Sequence, residues 1–143
     1  SMRIRDRITH CVRRRIELVG RDREAVRRGA TLLALPMHTP EGACAMWQTA
    51  DIIWNACGDT ATDYNWYTKR AILSGVYSST VLFWLGDNDP DFHPTWAFLD
   101  RRIEGVMSFE KTKAKLKDNP LARAAFAIPG GLLGMIKAPG ARP

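Results

Sequence analysis

The 143-residue chain is 45% hydrophobic and 25% charged, the make-up of one folded domain large enough to bury a core, which excludes disorder along its whole length. Its net charge of +6 conceals a division: residues 1–28 carry ten Arg against four acids, residues 29–110 four bases against ten acids, and residues 111–143 seven bases against one. Basic ends of this kind are either solvated helix faces or surfaces for nucleic acid or an anionic membrane.

The first residues, SMRIRDRITHCVRRR, place charge every two or three positions where a secretory signal needs an apolar run. The expected location is therefore the cytoplasm, peripheral to the inner membrane, and Ser1-Met2 reads as a cloning remnant left where a natural N-terminal segment was removed. Ile4, Ile8, Val12, Ile16 and Val19 recur at helical spacing, with Arg on the opposite face and Gly20 as the stop. Asp22 is placed to cap a second helix with Ala25, Val26, Ala30, Leu32 and Leu33 facing inward, closed by Pro36. In TPEGACAMWQTADIIWNACG, Thr39 reads as the cap, Pro40 as the first helical residue, Glu41 as the acid favoured by the dipole, and Gly58 as the residue past the end. Ala43, Met46, Trp47, Ala50, Ile53, Trp54 and Cys57 form its apolar stripe, with Gln48, Asp51 and Asn55 outside it.

The sixteen residues from Ala71 to Gly86 contain no charge and carry large apolar side chains on every side of the helical wheel. A helix apolar all round is a buried one, and this run falls short of the roughly 20 residues a bilayer span requires. Residues 63–85 are thus expected at the centre of an all-α bundle of about six or seven helices. Small side chains at Ser74, Gly75, Ser78 and Ser79 permit close helix packing or leave space for a ligand. Ahead of this run, TDYNWYTKR sets Tyr64, Trp66 and Tyr67 among Asp63, Asn65, Lys69 and Arg70. Lying outside the buried rod, they are expected to be exposed, as a protein-binding hot spot or as a rim capping the bundle.

The DNDPDF stretch invites a calcium-loop reading, which fails at position six, where Phe92 replaces Gly, and at position twelve, where Phe98 replaces Glu. A turn fits better, with Asp89 capping and Pro90 opening a helix whose buried stripe is Phe92, Trp96, Leu99, Ile103 and Val106, ending near Phe109. Residues 1–109 therefore read as the bundle, 110–118 (EKTKAKLKD) as a basic linker or exposed helix, and 119–143 as an apolar tail broken by Pro and Gly. Such a tail suits an interfacial anchor: Lys113, Lys115 and Lys117 meet anionic headgroups while Phe126, Leu132, Leu133 and Ile136 enter the acyl boundary. The alternative is a C-terminal segment docked on the bundle or on a second copy.

Reactive chemistry is sparse. Cys11, Cys44 and Cys57 have no C-x-x-C spacing and read as reduced core thiols, and His10, His38 and His93 form no paired ligand motif. No nucleophile elbow, P-loop, dinucleotide fingerprint or paired E-x-x-H is present. Neither a cofactor nor enzymatic activity is expected.

The run GDTATDYNWYTKRAILSGVYSST, with DPDFHPTWAFLDRRI after it, resembles the ninth coenzyme Q biosynthesis protein family; the likeness extends from about Arg3 to about Val106. That resemblance implies the C-terminal, ligand-binding and dimerising bundle of a TetR-like protein, without the N-terminal helix-turn-helix domain. It implies a non-catalytic homodimer that holds an isoprenoid quinone precursor or other lipid, meets the membrane through its tail and assists the di-iron demethoxyubiquinone hydroxylase. The family's partner-contacting motif falls on Asp63, Tyr64, Asn65, Trp66, Tyr67, Thr68, Lys69 and Arg70. Residues expected to line the lipid pocket are Trp47, Trp54, Ser74, Tyr77, Ser78, Val81 and Trp84. No nucleic acid is expected as a partner; the alternative from another class is the effector domain of a TetR-like transcriptional regulator. If the tail is the anchor, deleting everything after Lys117 abolishes binding to anionic vesicles in a flotation assay and leaves the melting temperature nearly unchanged.

Overall fold

The computed structural model describes residues 2–60 and 64–121. They form five α-helices: α1 (Ile4–Val19), α2 (Arg23–Leu33), α3 (Thr39–Ala56), α4 (Tyr64–Leu85) and α5 (His93–Lys117), with 3-10 turns at Gly20–Asp22 and Pro36–His38. No strand occurs among the described residues, so the class is all-α, as the resemblance to a TetR-like bundle implies. α4 lies between α3 and α5, and α1 packs across both of those neighbours.

The core follows the predicted stripes closely. Ile8, Val12 and Ile16 of α1 meet Ala50 and Ile53 of α3, Cys57 just past it, Leu73, Val76, Tyr77, Trp84 and Leu85 of α4, and Leu99 and Ile103 of α5. α4 is central but not enclosed: Leu82 is 64% exposed, and Phe83, at the margin, stacks on Phe98 with ring centres 4.6 Å apart. An uncharged helix is apolar on every face without being covered on every face. The expected inward position of Ala25 and Leu32 also fails, since both are exposed on α2.

Helix ends show which polar residues the fold consumes. Asp22 accepts from the Ala25 amide at 3.0 Å, as predicted. At α3 the predicted cap is displaced: His38 holds the capping position, and the Thr39 hydroxyl donates back to Leu35 O. Past α3, Gly58 adopts φ +80°, its amide donates to Asn55 O and the Asp59 amide to Trp54 O, the two bonds of a Schellman motif. The C-terminal carbonyls of α4 are met by α2: Arg23 Nη2 donates to Trp84 O at 2.6 Å and Leu85 O at 3.0 Å, and Arg27 Nη2 to Leu85 O at 2.8 Å.

α5 starts at His93, not beside Pro90, because Phe92 turns to φ 55° at the capping position, where its ring lies 6.1 Å from Trp84. The aspartates of this turn act as caps: Asp89 accepts the His93 amide, and Asp87 accepts both the amide and the hydroxyl of Thr95, at 3.0 and 2.6 Å. Residues 110–117, offered as a linker or an exposed helix, are helix, since α5 continues unbroken to Lys117.

The Thr95 hydroxyl, the Asp89 and Thr95 amides and the nearby Arg23 charge together hold the Asp87 carboxyl below its ordinary value of 3.8. A depressed carboxylate binds fewer protons in the folded state, so its contribution is complete above that ordinary value and is lost as pH falls through the folded one. Asp87→Asn is expected to lower stability at neutral pH and to flatten the acid limb of melting temperature measured from about pH 5 to pH 2.

Candidate functional site

The first two turns of α4 carry an aromatic cluster above a buried cation. Trp66 meets Tyr67 edge-on with ring centres 4.8 Å apart, and Trp47 of α3 approaches them at 6.0 and 6.2 Å. All three rings are half-buried. Their outer faces give a semi-rigid aromatic surface, the composition from which interface anchors are drawn.

Arg70 corrects the expectation of exposure: its residue is 0% exposed. Its Nε donates to Asp51 Oδ1 at 2.6 Å, Nη1 to Asp59 Oδ2 at 3.0 Å and Trp66 O at 3.2 Å, and Nη2 to Asn55 Oδ1 at 3.3 Å. The guanidinium also lies 4.0 Å from the centre of the Trp66 ring. A buried charge persists only when its donors are matched, and the planar fork is matched here by α3, the α3–α4 connection and α4 itself. Arg70 therefore has no outward charge for a partner; it supports the surface from beneath. Asp51 and Asn55, set outside the apolar stripe of α3, prove to face this cation.

Lys69 sits one position round the helix. Its Nζ pairs with Asp59 Oδ1 at 2.7 Å and lies 5.1 Å from the Trp54 ring, whose Nε1 donates to Lys69 O at 3.0 Å. Beside this arrangement a partly open cavity of about 170 Å³ lies between α1, α3, α4 and α5. Ile8, Ile72, Leu73, Val76, Ile103, Val106 and Met107 give it apolar walls, while Arg5, Asn65, Thr68, Lys69 and Glu110 gather at the end where α4 begins.

Of the expected pocket residues, Trp54 borders this cavity. Trp47 belongs to the aromatic cluster, and Tyr77 and Trp84 are core residues at 4% and 2% exposure. The Ser74 and Ser78 hydroxyls turn back to Arg70 O and Ser74 O, and Val81 packs against the core. The lining face of α4, Asn65, Thr68, Lys69, Ile72, Leu73 and Val76, lies on another side of the helix and nearer its beginning than the face expected. With apolar residues on every side, α4 offers no periodic signal that selects one of them. Asp63, Phe126, Leu132, Leu133 and Ile136 lie outside the described residues; Lys115 and Lys117 are exposed on the last turns of α5, with Lys113 half-buried.

The cysteines divide by position. Cys44 is exposed, contrary to the expectation of a core thiol, whereas Cys57 is buried and pushed up to about 11, by burial first and then by neighbouring Cys11. A thiol held protonated in this way is a poor nucleophile.

The described residues thus form an all-α bundle with an apolar-walled cavity bordered by Lys69, which is joined through Asp59 and Arg70 to the aromatic cluster. Residues 39–110 match the COQ9 family, and the chain belongs to it. It is 37% identical over 107 residues, 75% of its own length, to the ubiquinone biosynthesis protein COQ9, mitochondrial, of Rattus norvegicus, and 35% identical over 107 residues to that of Homo sapiens. The Dictyostelium discoideum protein named as a probable mitochondrial ubiquinone biosynthesis protein coq9 is 34% identical over 100 residues. The chain spans about a third of the length of these relatives: 33% of the rat protein, 32% of the human and 31% of the Dictyostelium protein. The compartment these names carry is the mitochondrion, not the expected cytoplasm. Among the described residues, no helix is long and apolar enough to cross a membrane.

Removing the Arg70 side chain leaves the Asp59 carboxylate, itself 2% exposed, without its guanidinium partner. Arg70→Met is expected to cost about 3–5 kcal/mol in urea unfolding, the range for breaking one half of a buried pair. Arg70→Lys recovers only part of it, because an ammonium cannot reach the acceptors as a fork.

Proposed function

We propose that this chain is the lipid-binding domain of a non-catalytic accessory protein of ubiquinone biosynthesis. It takes up part of an isoprenoid quinone precursor or a similar lipid and presents it to a protein partner, the di-iron demethoxyubiquinone hydroxylase. The observation that carries this reading is the apolar-walled cavity with its polar residues gathered at one end, next to the aromatic cluster of Trp47, Trp66 and Tyr67. Apolar walls suit an isoprenoid segment, and a polar end suits the oxygens of a quinone ring.

The volume, about 170 Å³, is close to that of an engineered 150 Å³ cavity that takes up benzene. It therefore fits a ring or a short isoprenoid segment, and a long chain must extend elsewhere. Peripheral contact with an anionic membrane, through the lysines of α5 and the apolar tail, supplies a place for it. Exposed Leu82 and the stacked Phe83–Phe98 pair offer the face on which a second copy packs in the proposed homodimer.

Two variants separate the two sites. Trp66→Ala should weaken the hydroxylase complex by roughly thirtyfold or more, an anchor's contribution of about 2 kcal/mol at 1.4 kcal/mol per tenfold. Because the indole rests on Arg70, circular dichroism and melting accompany that titration; the extracted lipid, measured by mass spectrometry, stays at the wild-type level. Met107→Trp, which fills the cavity, should lose the lipid instead. Normal hydroxylase affinity of a folded Trp66→Ala protein would remove the interface, and wild-type lipid content of Met107→Trp would remove the cavity.

A further inference from the structure

The cavity and the aromatic surface share a wall. Lys69 lines the cavity, and its ammonium bonds Asp59 Oδ1 at 2.7 Å; the other oxygen of that carboxylate accepts Arg70 Nη1 at 3.0 Å. Arg70 in turn lies 4.0 Å from the Trp66 ring centre, and Trp66 meets Tyr67 at 4.8 Å. One carboxylate, 2% exposed, thus spans the cation at the cavity and the cation under the aromatic surface.

We infer that Asp59 and Arg70 are positioning residues that couple filling of the cavity to presentation of Trp66 and Tyr67, so that an apolar ligand tightens the protein contact made by that surface. The inference rests on the proposed function for both sites. Its sign follows from solvent. The Lys69 side chain is 38% exposed, so its pair with Asp59 is screened by water at the open end of the cavity. A ligand that displaces this water lowers the local dielectric and strengthens the pair. A carboxylate held more firmly leaves Arg70, and the indole resting on it, less freedom. A partner that docks on a surface already ordered loses less entropy in binding it. Asp51 also holds Arg70, at 2.6 Å, so the cation stays anchored when Asp59 is altered conservatively.

The test measures hydroxylase affinity with and without a saturating benzoquinone bearing two isoprene units, in the wild type and in Asp59→Asn. In the wild type the quinone should tighten the complex about fivefold or more, and by linkage the hydroxylase should tighten quinone binding by the same factor. In Asp59→Asn each ligand alone should bind within about threefold of the wild type, whereas the coupling factor falls to about one. A purely structural role for Asp59 would weaken both affinities and leave the factor unchanged. Should Asp59→Asn fail to fold, Lys69→Gln removes the cation at the cavity end; it weakens the single affinities, since Lys69 borders the cavity, but its coupling factor should likewise fall to about one. Undiminished coupling in a folded variant, absent coupling in the wild type, or quinone that loosens the complex would each overturn the inference with the functional reading intact. Failure of the wild type to bind quinone or hydroxylase alone would be seen in the single titrations, and would remove the functional reading and this inference together.

Discussion

A guanidinium with no exposure constrains everything around it. Arg70 needs acceptors on several sides in the plane of its fork, and the chain supplies them from Asp51 and Asn55, one turn apart on α3, and from Asp59 beyond its end. Asp59 reaches the cation because Gly58 turns the chain at φ +80° and the Schellman bonds return it toward the helix. The crossing of α3 over α4, the turn between them and the seating of Trp66 are therefore one solution to the desolvation of one charge. Buried pairs are weak evidence of net stability, but they penalise any other packing severely, since alternatives strand a charge. Arg70 thus fixes which arrangement of α3 and α4 is tolerated, more than how stable the bundle is.

The arginines of the N-terminal region show the same economy on the surface. Arg23 and Arg27 close the C-terminal end of α4, Arg5 pairs with Glu104 of α5, Arg7 donates to Cys57 O, and Arg13 lies 4.7 Å from the Trp96 ring centre. With Arg15 beside Tyr77 of α4, at least six of the ten arginines in residues 1–28 make contacts between elements. A basic run that would look like a footprint for a polyanion is in large part the means by which α1 and α2 attach to the bundle. Exposed cations remain, but their local density is lower than the composition implies.

What was legible in the sequence was what depends on one helix at a time. The stripes of α1, α3 and α5 placed Ile8, Val12, Ile16, Ala50, Ile53, Leu99 and Ile103 in the core, and Gly20, Asp22 and Gly58 punctuated the chain where expected. What failed depends on relations between helices. The exposure expected of Arg70 ignored Asp51 and Asn55, which lie outside the apolar stripe of α3 yet face this cation on another helix. The cavity-lining face was misplaced because α4 is apolar all round. The start of α5 slipped from Pro90 to His93 because two prolines compete for the first turn, and only the left-handed Phe92 decides between them. A useful signal was available for Arg70: an arginine four residues after a tryptophan shares its face, and three polar residues at 51, 55 and 59 repeat at the spacing of a helical turn.

The cavity's size bears on what kind of lipid binding the proposed function requires. A carrier that removes a long isoprenoid from the membrane must enclose it, because each exposed methylene costs about 0.8 kcal/mol in water. At about 170 Å³, the cavity covers only a ring or a few carbons of chain. On the proposed reading the remaining chain stays in an apolar phase, so binding occurs at the membrane surface. The geometry supports this: the polar end of the cavity, the aromatic cluster and the lysine-bearing final turns of α5 all lie toward the end where α4 begins. On that reading, a ring drawn into such a cavity would be held beside the surface offered to a protein partner while its tail remained in the bilayer. If the proposed function holds, a cavity this small is sufficient for presentation at the membrane and insufficient for transport through water.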